Sequence, residues 1–387
     1  MHATTSTIPT IDAAIIGGGI AGAWALNLLT ARGYNAILLE AAHLGCDQTL
    51  ASQGMVHGGL KYALSGSVTG ASEAIAGMPQ RWRACLNNDD DVKLSGAKLL
   101  ADRYFMFAAD NVLGRLTSFF ASRSLRGRID KVPPAEWPEA FHGFNGVVYA
   151  LNDFVLDTPD LLTRLTHGLE SKVFKLTATA DTVTAATDSG YVLTLEDTQL
   201  HVAHLISCAG NGSDALLQAL DIPDIRVQHR PLKQVVVRPR HDTPLFAHCL
   251  TGIASAEPRL TITAHRNEHG LIWYLGGQIA TQGVDRSDQD QIAMAKQELA
   301  VCVPWLDWQG AQYDVLNVDR AEPRQKTGLK PDQAFVHRVG DFIQCFPTKL
   351  TLAPDMGDRL LRAMDPPKHR HEFKTRHPRA GIGRAPW

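Results

Sequence analysis

The sequence has few cysteines, and none of them forms a Cys-x-x-Cys pair. The six cysteines are Cys46, Cys85, Cys208, Cys249, Cys302 and Cys345. This spacing excludes a dithiol centre and a zinc site built from cysteine pairs, so we expect no metal. We interpret all of them as reduced thiols, which indicates a cytoplasmic protein.

Neither sign of charge dominates the sequence. It has 38 Lys and Arg against 40 Asp and Glu, with a formal net charge of -2. Since no basic excess is available to bind a polyanion, we do not expect a nucleic-acid partner. A signal peptide and a membrane span are not expected either, because three consecutive glycines interrupt the apolar stretch 11–29 and no Lys or Arg precedes it.

The N-terminal segment has the pattern of a βαβ unit. An apolar run at 13–16 stops at three glycines, a helical apolar pattern extends to Leu29, and a second apolar run at 36–39 ends in Glu40. A crossover helix of this kind requires parallel strands covered by helices. The sequence therefore predicts an α/β fold with a Rossmann-like N-terminal domain, and its 387 residues favour a second domain.

Three glycines in this unit have the spacing of a dinucleotide-binding loop. Gly17, Gly19 and Gly22 form G-x-G-x-x-G between strand and helix, and Glu40 follows Gly22 by eighteen residues. Such glycines permit a tight turn, close approach of the backbone to a pyrophosphate and close helix packing. A carboxylate at the position of Glu40 accepts hydrogen bonds from ribose hydroxyls. Because NAD and FAD both use this loop, the motif leaves the cofactor open.

Several segments resemble one family of flavoenzymes. The segment 49–62, TLASQGMVHGGLKY, is similar to the S-x-x-x-x-H-G-G-x-R-Y segment of flavin-dependent glycerol-3-phosphate dehydrogenases and to a segment of L-2-hydroxyglutarate dehydrogenases. The segments 205–213, 231–234 and 347–354 resemble later motifs of the same FAD-dependent D-amino-acid oxidase-like (DAO) superfamily. Lys233-Gln234 departs from the family pattern, in which Arg-Gly is expected.

The resemblance implies an FAD cofactor and a discontinuous architecture. Elements that resemble flavin-binding motifs occur at the start, the middle and the end of the chain. The expected FAD-binding domain comprises 1–85, 146–216 and 335–364. The expected α+β substrate domain, which contains an antiparallel sheet, comprises 86–145 and 217–334. Within it, Ser287 is predicted to cap a helix that extends to about Val301.

The predicted cofactor-binding residues come from these motifs and from the strands beside them. They are Gly17, Gly19, Ile20, Ala21, Gly22, Glu40, Ala51, Ser52, Gln53, Gly54, Val173, Ala209, Gly210, Thr348, Lys349, Leu350 and Thr351.

Two residues are candidates for the chemistry itself. Oxidation of a CH–OH or CH–NH carbon needs a group that accepts the proton of the heteroatom. His57 is the candidate, because imidazole titrates near neutrality and this residue is followed by two glycines. Lys349 precedes a helix predicted to begin near Thr351, and its charge would stabilise the reduced flavin. The alternatives are a structural histidine and an exposed lysine.

Substrates of the resembled family are commonly anionic, and an anion needs a fixed cation. A guanidinium group binds a carboxylate or a phosphate with two parallel hydrogen bonds. We assign this role to Arg324 in preference to Arg320, with a surface ion pair as the alternative for either. Lys61 and Tyr62 are further candidates for substrate binding.

The predicted activity is removal of a hydride from a CH–OH carbon of a small anionic substrate, such as a 2-hydroxy acid or a molecule like glycerol 3-phosphate. The alternatives are an amino-acid or secondary-amine oxidase of the same superfamily and a flavin-binding accessory protein without turnover. The electron acceptor is O2, a quinone or another carrier.

Three features have two interpretations each. Segment 111–126 is either a basic amphipathic helix that contacts the inner face of a membrane or a helix of the substrate-domain core. Cys345 is either a covalent flavin attachment point or, as is commoner, a buried thiol. The basic segment 365–387 is expected to be a loosely ordered tail, although it could dock a partner.

Overall fold

The computed structural model describes residues 8–59, 75–109, 129–250, 257–324 and 333–387. The helices in these residues are α1 (Ile20–Ala31), α2 (Met78–Leu86), α3 (Thr158–Thr166), α4 (Ser213–Ala219), α5 (Gln278–Gln282), α6 (Asp288–Cys302) and α7 (Ala353–Ala363). The strands are β1 (Thr10–Ile16), β2 (Ala36–Glu40), β3 (Met55–Val56), β4 (Leu99–Ala101), β5 (Tyr104–Ala109), β6 (Ile129–Lys131), β7 (Gly146–Leu151), β8 (Phe154–Leu156), β9 (Val173–Lys175), β10 (Val183–Ala185), β11 (Tyr191–Thr194), β12 (Gln199–Ser207), β13 (Val227–His229), β14 (Leu232–Arg238), β15 (Ala247–Cys249), β16 (Leu260–Asn267), β17 (Gly270–Gly276), β18 (Gln312–Val318), β19 (Ala321–Pro323), β20 (Phe335–Val339) and β21 (Phe342–Phe346).

The first sheet is built on the predicted βαβ unit. Its strand order is β10-β11-β12-β1-β2-β9, and β21 pairs with β12 and with β20. Five of these strands form parallel pairs: β21 with β12, β12 with β1, β1 with β2, and β2 with β9. The carboxyl ends of these strands therefore meet at one edge, where ligands of open α/β sheets bind. The predicted Rossmann-like fold is confirmed.

Helices cover the first sheet closely. Trp24 of α1 is buried, and its ring centroid lies 4.9 Å from that of Trp82 in α2. Gly357 lets α7 approach α1, because a Cβ at this position would lie 2.7 Å from Leu28. The sheet face beneath these helices is apolar, so the core fixes where the strand ends lie.

The second sheet is mostly antiparallel, with strand order β18-β14-β17-β16-β15-β5-β7-β6. Its pairs are antiparallel except for β15 with β5. One face packs against α6, whose Leu299 is fully buried. The opposite face carries Gln234 and Tyr274 toward the first domain, because alternate residues of a strand point to opposite faces. The predicted α+β second domain with an antiparallel sheet is confirmed.

Two details differ from the sequence prediction. Strand β7 lies in the second sheet, although the segment beginning at 146 is predicted to belong to the FAD-binding domain. The segment 365–387 is not a loose tail: Ala380 and His377 are buried, and isolated bridges join Leu44 to Ile382 and Phe174 to Arg379. Its low apolar content concealed this order, because backbone hydrogen bonds to Asp12 and Leu44 contribute to its docking.

Candidate active site

The glycine loop forms a tight cradle between β1 and α1. Gly17 has a φ of 101°, a conformation that favours glycine. A Cβ on Gly22 would lie 1.9 Å from the carbonyl oxygen of Gly17, so the first helical turn packs directly on the loop. The helix begins at Ile20, and its positive end faces the cavity described below. The loop thus has the geometry that receives a pyrophosphate.

Glu40 is held by two backbone amides. Its Oε2 accepts a hydrogen bond from the Gly18 N–H at 2.7 Å, and its Oε1 accepts one from the Ala42 N–H at 2.8 Å. Both bonds are charge-assisted, so they fix the carboxylate at the carboxyl end of β2. Each oxygen keeps a lone pair for a ribose hydroxyl.

The late loop meets the early segment through Thr351. Its hydroxyl accepts a hydrogen bond from the His57 N–H at 3.1 Å and donates one to the His57 carbonyl oxygen at 3.2 Å. Thr348, with a φ of 61°, turns the chain before this contact, and its hydroxyl donates to the Gln333 carbonyl oxygen. A 3-10 turn at Leu350–Leu352 then leads into α7. The predicted helix start near Thr351 is present.

One cavity of about 590 Å3 joins these parts, a volume typical of a ligand site. Most of the predicted cofactor-binding residues line it. These are Gly17, Gly19, Ile20, Ala21, Glu40, Ala51, Ser52, Gln53, Ala209, Gly210, Thr348, Lys349 and Leu350. The remaining ones, Gly22, Gly54, Val173 and Thr351, are not among the residues that line it.

Val173 shows why one position does not reach the cavity. It pairs with Leu38 in the parallel ladder of the first sheet, and its side chain is buried in the core. Residues 176–178, just beyond the end of this strand, line the cavity instead. The sequence does not reveal where a strand ends closely enough to distinguish the two positions.

The predicted substrate-binding residues separate in the structure. Arg320 is partly buried and lines the cavity, as does Lys349. Arg324 has an exposed side chain that is not part of the cavity wall. His57 is partly buried, is not among the residues that line this cavity, and contacts Thr351 through its peptide group. Lys61 and Tyr62 lie outside the described residues, as does the amphipathic segment 111–126.

A polar network on the second sheet forms the opposite wall. The Tyr274 hydroxyl donates to the Ala51 carbonyl oxygen at 2.7 Å and also contacts Gln234. Gln53 donates to the Thr261 and Tyr274 carbonyl oxygens, each at 3.0 Å. Burial raises the pKa of Tyr274, which therefore stays a neutral donor. These contacts join the segment 51–53 to the second domain.

The departure from the family pattern at 233–234 is visible here. Lys233 points away from the cavity, pairs with Asp288 at 2.9 Å and contacts the Arg286 carbonyl oxygen. Gln234 points toward the cavity, where glycine is expected in the family. Of the two residues that depart from the family pattern, only Gln234 therefore changes the cavity wall.

Sequence reasoning did not identify several wall residues. The Thr49 hydroxyl accepts a hydrogen bond from the Ile20 N–H at 2.9 Å, so its own proton can be donated to a phosphate. Residues 45–48 also line the cavity. The signal for Thr49 was its place at the start of the quoted 49–62 segment. Nothing in the sequence marks the others.

Cys345 and Cys208 lie side by side in the cavity wall. A hydrogen bond with the Cys208 thiol and burial raise the pKa of Cys345. Since the thiolate is the reactive form, this environment disfavours covalent attachment of a ligand through Cys345.

The donors and acceptors of this cavity fit FAD. With FAD bound, Glu40 would accept a hydrogen bond from a ribose, the glycine cradle and Thr49 would receive the pyrophosphate, and the 348–351 loop would supply donors to the reduced ring. Apart from these groups, the cavity is lined mainly by apolar atoms, which suits an aromatic ring system.

Comparisons with known proteins agree with this geometry. The family model described as "FAD dependent oxidoreductase" (DAO) matches residues 12–337. The chain belongs to the DAO family of FAD-dependent oxidoreductases. It is 42% identical over 358 residues to "Probable FAD-dependent oxidoreductase PA4991" of Pseudomonas aeruginosa. The matched region covers 92% of this chain and 90% of that protein. The predicted enzyme class and FAD cofactor are confirmed.

Several solved structures share this fold. The crystal structure of the Pseudomonas aeruginosa protein matches with a TM-score of 0.82 and 34% identity over 99% of both chains. L-alpha-glycerophosphate oxidase of Mycoplasma pneumoniae, with FAD bound, matches with a TM-score of 0.63 and 16% identity over 92% of this chain and 94% of that chain. Glycine oxidase of Geobacillus kaustophilus matches with a TM-score of 0.60 and 16% identity over 95% and 99%.

Two kinds of feature are absent from the described residues. Among the helices described, none has the length and apolar character needed to cross a membrane. In the same residues, His, Cys, Asp and Glu side chains form no cluster that could hold a metal ion.

Proposed function

We propose that this DAO-family enzyme oxidises a small anionic substrate at a CH–OH carbon. FAD supplies the chemistry, because its ring accepts a hydride equivalent. The chain must therefore bind the anion, hold the reacting carbon near the ring, and accept the hydroxyl proton.

The observation that carries this proposal is the placement of two cations on the cavity wall. Arg320 and Lys349 both line the cavity, although they come from segments separated by β20 and β21. The Arg320 Nε donates to the Arg230 carbonyl oxygen at 3.2 Å, which orients the guanidinium group. An oriented cation binds a carboxylate or a phosphate at a lower entropic cost than a mobile one.

His57 is the proposed proton acceptor. Its peptide is held on both sides by the Thr351 hydroxyl, and the adjacent Gly58 N–H donates to Asp153 Oδ1 at 2.8 Å. These bonds fix the turn that carries the imidazole where the segment after the glycine cradle meets the loop 348–351. Imidazole can accept a hydroxyl proton at neutral pH, which favours the CH–OH reaction.

The test is anaerobic reduction of the FAD-loaded enzyme by a panel of 2-hydroxy acids, glycerol 3-phosphate and amino acids. The proposal predicts loss of the visible flavin absorbance with a hydroxy compound and none with its uncharged analogue. Bleaching by amino acids alone would assign the amine reaction instead. No bleaching by any anionic compound would contradict the proposal. For a substrate that bleaches the flavin, peroxide formation in air would distinguish O2 from a quinone or another carrier as the electron acceptor.

Matched arginine variants test the site of the anion. Arg320→Gln should raise KM for the active substrate about tenfold or more, because a charge-assisted contact is lost. Arg324→Gln is the control, since its side chain is exposed outside the wall. If Arg324→Gln raises KM and Arg320→Gln does not, the anion binds at Arg324.

A further inference from the structure

The segment 365–387 runs along the first domain before it reaches the second. Asp12 Oδ1 accepts hydrogen bonds from the Lys368 and His369 N–H groups at 2.9 and 3.0 Å. Farther on, His377 is buried, with its Nε2 2.9 Å from the Lys175 carbonyl oxygen. These contacts fix the path of the segment along the edge formed by β9.

The next residues bind the loop behind the cavity wall. The Leu44 N–H donates to the Gly381 carbonyl oxygen at 2.9 Å, and the Gly383 N–H donates to the Leu44 carbonyl oxygen at 2.9 Å. A Cβ on Gly383 would lie 3.0 Å from the Leu50 side chain and 3.2 Å from the Leu44 carbonyl oxygen, so the segment packs closely on this loop. The loop held in this way, 45–49, lines the cavity beside the glycine cradle.

Trp387 then packs on the second domain. Its ring centroid lies 4.8 Å from that of Tyr274 and 4.4 Å from that of His265. The Asn267 amide donates to the Trp387 carbonyl oxygen at 3.3 Å. Offset aromatic contacts of this kind add to the stability given by apolar burial.

Tyr274 connects Trp387 to the cavity wall. The tyrosine is fully buried, and its hydroxyl contacts the Ala51 carbonyl oxygen and Gln234. Both of these residues line the cavity. A shift of the Tyr274 ring would therefore move the wall at two points, one from each domain.

We propose that residues 377–387 form an interdomain strap that holds the FAD-binding wall from behind, with Trp387 as its positioning residue. The strap fixes the 45–49 loop through Leu44 and fixes the segment 51–53 through Tyr274. The proposal depends on FAD as the occupant of the cavity and is independent of the substrate. Loosening the strap should release FAD without removing any group that contacts it.

The experiment compares FAD binding by three variants of the full chain, after removal of FAD and titration back. Trp387→Ala should raise the Kd for FAD roughly tenfold or more, which corresponds to ~1.4 kcal/mol. It should also increase amide hydrogen exchange in 43–53. Trp387→Phe should restore both values, because an aromatic ring remains. Lys374→Ala, at an exposed position just before the strap, is the control and should leave both unchanged.

A second variant covers the case in which Trp387→Ala does not fold. Gly383→Ala puts a methyl group against Leu50 and the Leu44 carbonyl oxygen without altering the second domain. It should also raise the Kd for FAD and the exchange of 43–53. If either folded variant binds FAD with unchanged Kd and shows unchanged exchange, the strap has no positioning role. Because turnover is not measured, this failure is distinct from failure of the proposed reaction.

Discussion

The Thr351 hydroxyl bridges both sides of the His57 peptide, accepting from the N–H at 3.1 Å and donating to the carbonyl oxygen at 3.2 Å. The two residues are 294 positions apart in the sequence. This single side chain joins the segment that follows the glycine cradle to the loop that precedes α7. The contact lies directly after Thr348, Lys349 and Leu350, which line the cavity.

Replacement of Glu40 tests the nucleotide end of the cavity. In Glu40→Ala the Gly18 and Ala42 N–H groups lose their acceptor, and the ribose loses its predicted partner. We expect the Kd for FAD to rise about tenfold or more, since each bond involves a charged group. Titration of the apoprotein with FAD measures this. Glu268→Ala, at an exposed position beside His269, should leave the Kd unchanged; an equal rise in both variants would contradict the assignment.

Replacement of Gly22 tests the packing of α1 on the cradle. In Gly22→Ala the new Cβ would lie 1.9 Å from the Gly17 carbonyl oxygen, so the helix or the loop must move. We expect a loss of about 1–3 kcal/mol in the free energy of unfolding, together with weaker FAD binding. Gly77→Ala is the control, because its methyl group would meet no atom within 4 Å. Denaturant unfolding that shows equal stability for the two variants would disagree with this packing.

His229 should give the two domains a pH-dependent contact. Its ring lies 2.9 Å from Asp214 and 2.7 Å from Asp319, and the hydrogen bond to Asp214, followed by that to Asp319, raises the pKa of His229. A raised folded-state pKa gives stability that is complete below the unfolded value of about 6.5 and is lost as pH rises through the folded value. His229→Gln should therefore lower Tm more at about pH 6 than at about pH 9.

The effect at His229 should be small, because the side chain is 39% exposed and solvent weakens the pairs. His201→Gln is a suitable control, because the His201 ring contacts a backbone carbonyl oxygen, that of Ser189. Equal Tm changes at both pH values for His229→Gln would show that the pairs do not contribute.

His265 should have the opposite dependence. Its burial beneath Trp387 lowers the pKa of His265 to about 4. A lowered histidine pKa gives stability that is present above the unfolded value of about 6.5 and is lost as pH falls toward the folded value. The Tm of the wild-type protein should therefore fall more than the Tm of the His265→Gln variant when pH falls from about 7 to about 4.5. A parallel fall in both proteins would contradict this assignment.

Local signals in the sequence predicted the cradle and several elements correctly. The spacing of Gly17, Gly19 and Gly22 is read from one strand, one turn and one helix, which are continuous in sequence. Ser287 caps α6 as predicted, with its hydroxyl accepting from the Asp290 N–H at 3.1 Å. Such signals depend on neighbouring residues, so one sequence contains them fully.

Contacts between distant segments could not be predicted in this way. The exposure of Arg324 and the place of Arg320 on the wall depend on how β13 pairs with β19. The order of the segment 365–387 depends on backbone amides that meet Asp12 and Leu44, and these contacts have no apolar periodicity. The contact of Trp387 with Tyr274 depends on the arrangement of two domains.

Hydrogen exchange of the apoprotein with and without FAD tests whether the glycine cradle and the late loop cover the same FAD molecule. We expect one equivalent of FAD to protect the amides of 17–22 and of 348–351 together, because residues 17–21 and 348–350 line one cavity. The Glu40→Ala variant should show the same two protected segments at higher FAD concentration. Protection of 17–22 without protection of 348–351 would show that the late loop does not cover the cofactor, and it would contradict the account.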